Sequence, residues 1–107
     1  MDVSAHRDEF GRLIAVLKDG PQEATVTASN MPAAGEDLLA AVASARDTGY
    51  GECRWQEQTG DYWWMLRNTE GRLTVVVMWA AGTATGWQHV FRAETDMQAF
   101  ERGLEGL

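Results

Sequence analysis

The chain has 107 residues, one domain's worth, and its 45% hydrophobic and 23% charged residues exclude the disordered and fibrous classes. Sixteen acidic against nine basic residues leave a formal charge of −7, without the Lys/Arg cluster that nucleic acid or an anionic membrane requires. One cysteine, Cys53, excludes an internal disulfide and fits a reducing, cytoplasmic setting.

The chain opens on MDVSAHRDEF, which carries charges of both signs and lacks the apolar stretch of a secretory signal. Nowhere does an apolar run approach the roughly 18 residues of a membrane span. Residues 7–18, RDEFGRLIAVLK, set Phe10, Leu13, Ile14 and Leu17 at helical spacing. Asp8 and Glu9 lead, Lys18 closes, and Gly20-Pro21 follows as a stop, so a helix is favoured. The rival is a strand hairpin over LIAVLKDGPQEATVT, because the run is apolar enough for that as well. Residues 23–29, EATVTAS, read as a strand from their β-branched content. SNMPAAGE, 29–36, is too short to separate two domains.

Residues 34–47 read as a helix, with Leu38, Leu39, Val42 and Ala45 on one side. Glu36 and Asp37 sit in its first turn and Gly49 lies beyond its end. Four strands are expected next, at about 51–58, 61–69, 72–80 and 86–94. Their connections are Thr59-Gly60, Glu70-Gly71 and a longer loop, AAGTATG. The closing segment TDMQAFERGLEGL, 95–107, has Thr95 and Gln98 in capping-box spacing and Met97, Phe100, Leu104 and Leu107 on one helical face. Gly103 weakens that helix by about 1 kcal/mol relative to Ala, so packing must hold it.

A residue followed by Gly suits a two-residue type I′ hairpin, which needs positive φ. Read so, Glu70-Gly71 pairs Thr69 with Arg72, Leu66 with Val75, Trp64 with Val77 and Tyr62 with Trp79. Thr59-Gly60 pairs Gln58 with Asp61, Trp55 with Trp64, Cys53 with Leu66 and Glu52 with Arg67. Both turns send Tyr62, Trp64 and Leu66 to one face, the expected core. The second face then holds Arg54, Gln56, Trp63, Met65, Thr74, Val76 and Met78, apolar in its middle. An even last loop adds Trp87, His89 and Phe91 to this second face; an odd one sends them to the core.

No motif for catalysis, metal or phosphate stands out. His89 has no second His or carboxylate at a ligand spacing, and a strand histidine between aromatics is the simpler reading. Cys53 reads as a small buried hydrophobe. Glu52, Glu57 and Asp61 gather at the first hairpin as a solvated edge. The glycines stand in turns, outside any strand–GxGxxG–helix or GxxxxGK[ST] setting. Five tryptophans are the strongest compositional signal. Trp55, Trp64 and Trp79 are accounted for by the core, whereas Trp63 and Trp87 suit an interface, where Trp, Met and Arg are enriched.

The expected fold is α+β: a four-stranded antiparallel meander packed with an N-terminal helix–strand–helix segment and a C-terminal helix. The order is αβαββββα, with ββαββββα as runner-up and five or six strands if the N-terminal segment joins the sheet. The expected function is a non-enzymatic, acidic cytoplasmic module that binds a protein partner or itself, like immunity proteins in size and charge. Its binding residues are Trp63, Met65, Met78, Trp87, His89 and Arg54, with no cofactor or metal. The alternative is a small-molecule site with an aromatic pocket between sheet and helices near His89.

Overall fold

The computed structural model describes residues 1–82 and 86–107. The expected loop AAGTATG lies partly outside these. The order is βββαββββα: β1 (Asp2–Arg7), β2 (Leu13–Asp19), β3 (Gln22–Ala28), α1 (Ala34–Thr48), β4 (Tyr50–Glu57), β5 (Gly60–Thr69), β6 (Arg72–Ala80), β7 (Gln88–Asp96) and α2 (Met97–Gly103). They form an antiparallel three-stranded sheet, β1-β2-β3, and an antiparallel four-stranded meander, β4-β5-β6-β7.

The helix expected over 7–18 is replaced by the β1–β2 hairpin, and β1 was not anticipated. In LIAVLKD the buried residues are Leu13, Ala15 and Leu17, a period of two, and β3 answers with Ala28, Val26 and Ala24 directly opposite. Gly20-Pro21, read as a helix stop, is the β2–β3 hairpin turn: Gly20 takes φ +59 and Pro21 supplies a fixed negative φ, the type II′ requirement. Phe10, counted on the apolar face of the expected helix, is 85% exposed at the tip of the β1–β2 loop.

The helix expected at 34–47 is present as α1. It buries Leu38, Ala41, Val42 and Ala45, carries Glu36 and Asp37 in its first turn, and ends on Gly49 at φ +92. The C-terminal helix is shorter than expected. Thr95 belongs to β7, buried opposite Leu73, and Asp96 is the cap, its Oδ1 accepting the N–H groups of Gln98 and Ala99. Gly103, which lowers helix propensity, lets α2 approach β1 closely: a Cβ there would run into the Val3 carbonyl.

The β5–β6 register is as expected, with Leu66 opposite Val75, Trp64 opposite Val77 and Tyr62 opposite Trp79. Glu70 and Gly71 take φ +54 and +87, as type I′ requires, and Asn68 Oδ1 accepts the Gly71 N–H. The β4–β5 register differs by two residues. Glu57 pairs with Gly60, so Gln58-Thr59 is the turn and Trp55 faces Tyr62, Cys53 faces Trp64 and Glu52 faces Met65. Gly60 is glycine because β6 lies against it: a Cβ would strike the Ala80 carbonyl oxygen. A slip of two preserves the face of every side chain, so the two-face division survives.

The last strand breaks the even-or-odd alternative. Val77 faces Phe91, but Met78 faces His89, so Val90 is the extra residue of a bulge. Phe91 is fully buried, while His89 lies on the second face.

One buried cluster unites both sheets and both helices on the first face of the meander. Trp55 and Trp64, both fully buried, pack with ring centroids 5.1 Å apart, and Trp55 Nε1 donates to the Ala34 carbonyl of α1 at 3.1 Å. Gly51 takes α1 at backbone distance, since a Cβ would collide with the Ala41 carbonyl. The three-stranded sheet meets both edges of the meander. Gln22, at the start of β3, bonds β7 at Arg92, and Ser29, just past its end, donates to Gln56 of β4. No helix among the described residues is long and apolar enough to cross a membrane.

Candidate functional site

The second face of the meander carries no helix or strand among the described residues, and none of Trp63, Met65, Val76 or Met78 packs against the core cluster. Register turns it into a grid. One row runs Tyr50, Arg67, Thr74, Glu94; the next runs Glu52, Met65, Val76, Arg92; the third runs Arg54, Trp63, Met78, His89. Strand alternation places them there, because their neighbours Trp64, Leu66, Val75 and Val77 are claimed by the core.

The apolar members are half-buried, covered by one another, whereas Arg54, Arg67, Arg92 and His89 are exposed. Trp87, just before β7, reaches back across β6 so that its ring lies 5.2 Å from that of Trp63. The Arg54 guanidinium sits over both indoles, 5.3 Å from Trp63 and 5.2 Å from Trp87. Trp63 Nε1 is enclosed there without a hydrogen-bond partner among the described residues. The structure therefore brings Arg54, Trp63 and Trp87 into one cluster, with Met78 and His89 beside it in the row and Met65 one row away.

Tyr50, Arg67 and Arg92 were not among the binding residues read from the sequence. They wall a groove of about 470 Å³ floored by Met65, Thr74 and Val76. The Arg67 guanidinium lies 5.8 Å above the Tyr50 ring, and the Tyr50 hydroxyl donates to Glu52. That pair replaces the expected Glu52–Arg67 cross-strand pairing. Arg67 was readable from its parity with Met65; Arg92 required the bulge to be known.

Charge is unevenly divided. Four of the eight arginines (Arg54, Arg67, Arg72 and Arg92) share this face with four acids, Glu52, Asp61, Glu94 and Asp96. The face is balanced, and the formal −7 belongs to the rest of the surface.

His89 lies on the side away from both helices, so it lines no pocket between sheet and helices. Cys53 lies half-buried against α1, lining a hollow with Asp37, Ser44, Tyr50 and Glu52. Burial, and then the charges of Asp37 and Glu52, push its thiol up to about 12, the reverse of an activated nucleophile. Among the described residues no group of three or more His, Cys, Asp or Glu could hold a metal ion. No family model, curated protein or solved structure matches this chain.

Proposed function

We propose that this protein is a non-enzymatic binding module that engages another protein, or a second copy of itself, through the second face of the meander. One observation carries the reading: Trp63, Met65, Val76, Met78 and Trp87 form a contiguous apolar strip on a face that no helix or strand of the described chain covers. Scattered apolar residues are ordinary on a surface, but a strip bordered by Arg54, Arg67, His89 and Gln56 has the build of an interface with an aromatic centre and a polar rim. Two half-buried tryptophans with an arginine between them are the residue types in which binding energy concentrates.

The test is association measured beside folding. Trp63→Ala should weaken binding, to a partner by titration or to itself by light scattering, by about 2 kcal/mol or more while the melting temperature holds. Unchanged association by Trp63→Ala and Trp87→Ala variants that remain folded would remove the face from the interface.

A further inference from the structure

Resting on that reading, we infer that the partner segment is acidic and apolar together, with carboxylates that reach Arg67 and Arg92 on either side of an apolar side chain set against Met65 and Val76. Arg67 stands on β5 and Arg92 on β7, two strand spacings apart and one row along, or about 12 Å. Thr74 and Val76 of β6 lie between them, and the groove these residues line has room for a large side chain.

Arg67 is held but not neutralised. The Tyr50 ring carries the Arg67 guanidinium, and Glu52 fixes that ring through its hydroxyl. A guanidinium set over a ring keeps N–H groups available to a carboxylate, which it can meet bidentately. Among the described residues neither Arg67, Arg92 nor Arg54 forms a salt bridge, although the chain has sixteen acids, whereas Arg12 and Arg46 are paired elsewhere.

A formal charge of −7 repels an acidic partner at long range. The excess acids, however, belong to the remainder of the surface, and at physiological salt their field fades over a Debye length of about 8 Å. Of the two acids in the rows of Arg67 and Arg92, Glu52 is engaged by the Tyr50 hydroxyl and Glu94 lies beyond the groove lining. Within the groove the guanidinium groups of Arg67 and Arg92 therefore supply the local charge. A basic partner would meet Arg67 and Arg92 in the groove, neither of them in a salt bridge among the described residues.

The experiment is selection of a random peptide library displayed on phage against the immobilised full chain. Selected clones are then measured on Arg67→Gln/Arg92→Gln, on Trp63→Ala, and on Arg102→Gln as a control on α2. Clones should be enriched in Asp or Glu next to an apolar residue. They should lose about tenfold or more in affinity on the double variant, the scale of a charge-assisted pair, and nothing on Arg102→Gln. Neutral or basic clones that fail on Trp63→Ala but bind the double variant would overturn the acidic chemistry and leave the face as an interface. Clones indifferent to both sets of variants, or no enrichment at all, would overturn the two readings together. Light scattering that shows a stable dimer, dissociated by Trp63→Ala, would give the face to a second copy and also refute this inference.

Discussion

Trp63 and Trp64 are consecutive residues of β5 with opposite environments: Trp64 is 0% exposed against Trp55, while Trp63 lies half-buried against Trp87 on the open face. Period-two alternation alone separates them. Trp64→Ala should cost about 3–5 kcal/mol, a large share of a small domain's stability. Trp63→Ala should cost far less, because its ring leaves a rim and not a cavity. Paired thermal melts check this, and equal losses would mean that both faces are interior.

Two glycines should prove harder to replace than the turn glycine that resembles them in sequence. A Cβ on Gly51 would collide with the Ala41 carbonyl of α1, and one on Gly60 with the Ala80 carbonyl of β6. Backbone cannot step aside as a side chain can, so Gly51→Ala should separate α1 from β4 and cost several kcal/mol, as overpacking does. Gly71→Ala meets nothing within reach and pays only for its φ of +87, about 1 kcal/mol. Denaturant midpoints would rank the three, and a Gly71 variant weaker than Gly51→Ala would contradict the packing argument.

These glycines also explain what was legible in the sequence. Thr59-Gly60 and Glu70-Gly71 look alike, yet only the second is a positive-φ turn; Gly60 is small because a neighbouring strand is close, which local sequence does not encode. The error was two residues, so the face assignments of Trp63, Met65 and Met78 stood. The N-terminal segment was misread for a related reason. Phe10, Leu13, Ile14 and Leu17 satisfy a helical period, while the strand period emerges only when Ala15 counts as core opposite Val26. The fate of Trp87, His89 and Phe91 depended on a bulge at Val90, which has no signature of its own.

Cys53 should react slowly with thiol reagents in the native protein. Its thiol is pushed up to about 12 by burial and then by Asp37 and Glu52, so the reactive thiolate is scarce at pH 8. Labelling should rise about tenfold per pH unit without levelling off, whereas the denatured chain levels off near its ordinary value of about 8.5. Because the folded value is raised, this group's contribution to stability is intact below about pH 8.5 and declines as pH climbs towards 12. Rapid labelling at neutral pH would show an opened α1–β4 seam.

Asp8 organises the loop that presents Phe10. Its Oδ1 accepts the N–H groups of Phe10 and Arg12, both at 2.9 Å, and its Oδ2 lies 3.3 Å from the Arg12 guanidine nitrogen. Burial alone pushes the carboxyl up, but these bonds and the Arg12 charge together hold it below the ordinary aspartate range. A lowered folded value means that the loop's stabilisation is present above about pH 4 and is lost as pH falls through the folded midpoint. Carboxyl-carbon NMR should find Asp8 titrating below the ordinary aspartate value of about 3.9. A midpoint at or above that ordinary value would show that the loop bonds do not persist in solution.

The Gln22 side chain behaves as one more strand residue. Its Nε2 donates to the Arg92 carbonyl at 2.9 Å and its Oε1 accepts the Arg92 N–H at 3.0 Å, so one amide satisfies both main-chain groups on the outer edge of β7. An edge strand with unpaired groups is a template for a foreign strand, and here β3 closes it at a single point. Gln22→Leu removes both bonds and should cost about 1–3 kcal/mol, at 0.5–1.5 or so for each. Gln22→Glu is the sharper test, because a carboxylate still accepts from the Arg92 N–H but has no proton for the carbonyl and sets negative charge against it. Its loss should therefore match or exceed that of Gln22→Leu despite nearly conserved shape. Hydrogen exchange at the Arg92 amide should accelerate strongly in Gln22→Leu and less in Gln22→Glu, while exchange within β5 and β6 stays slow. If the Arg92 amide exchanges alike in all three proteins, β3 does not lock the edge, and the two sheets are held together by their shared core alone.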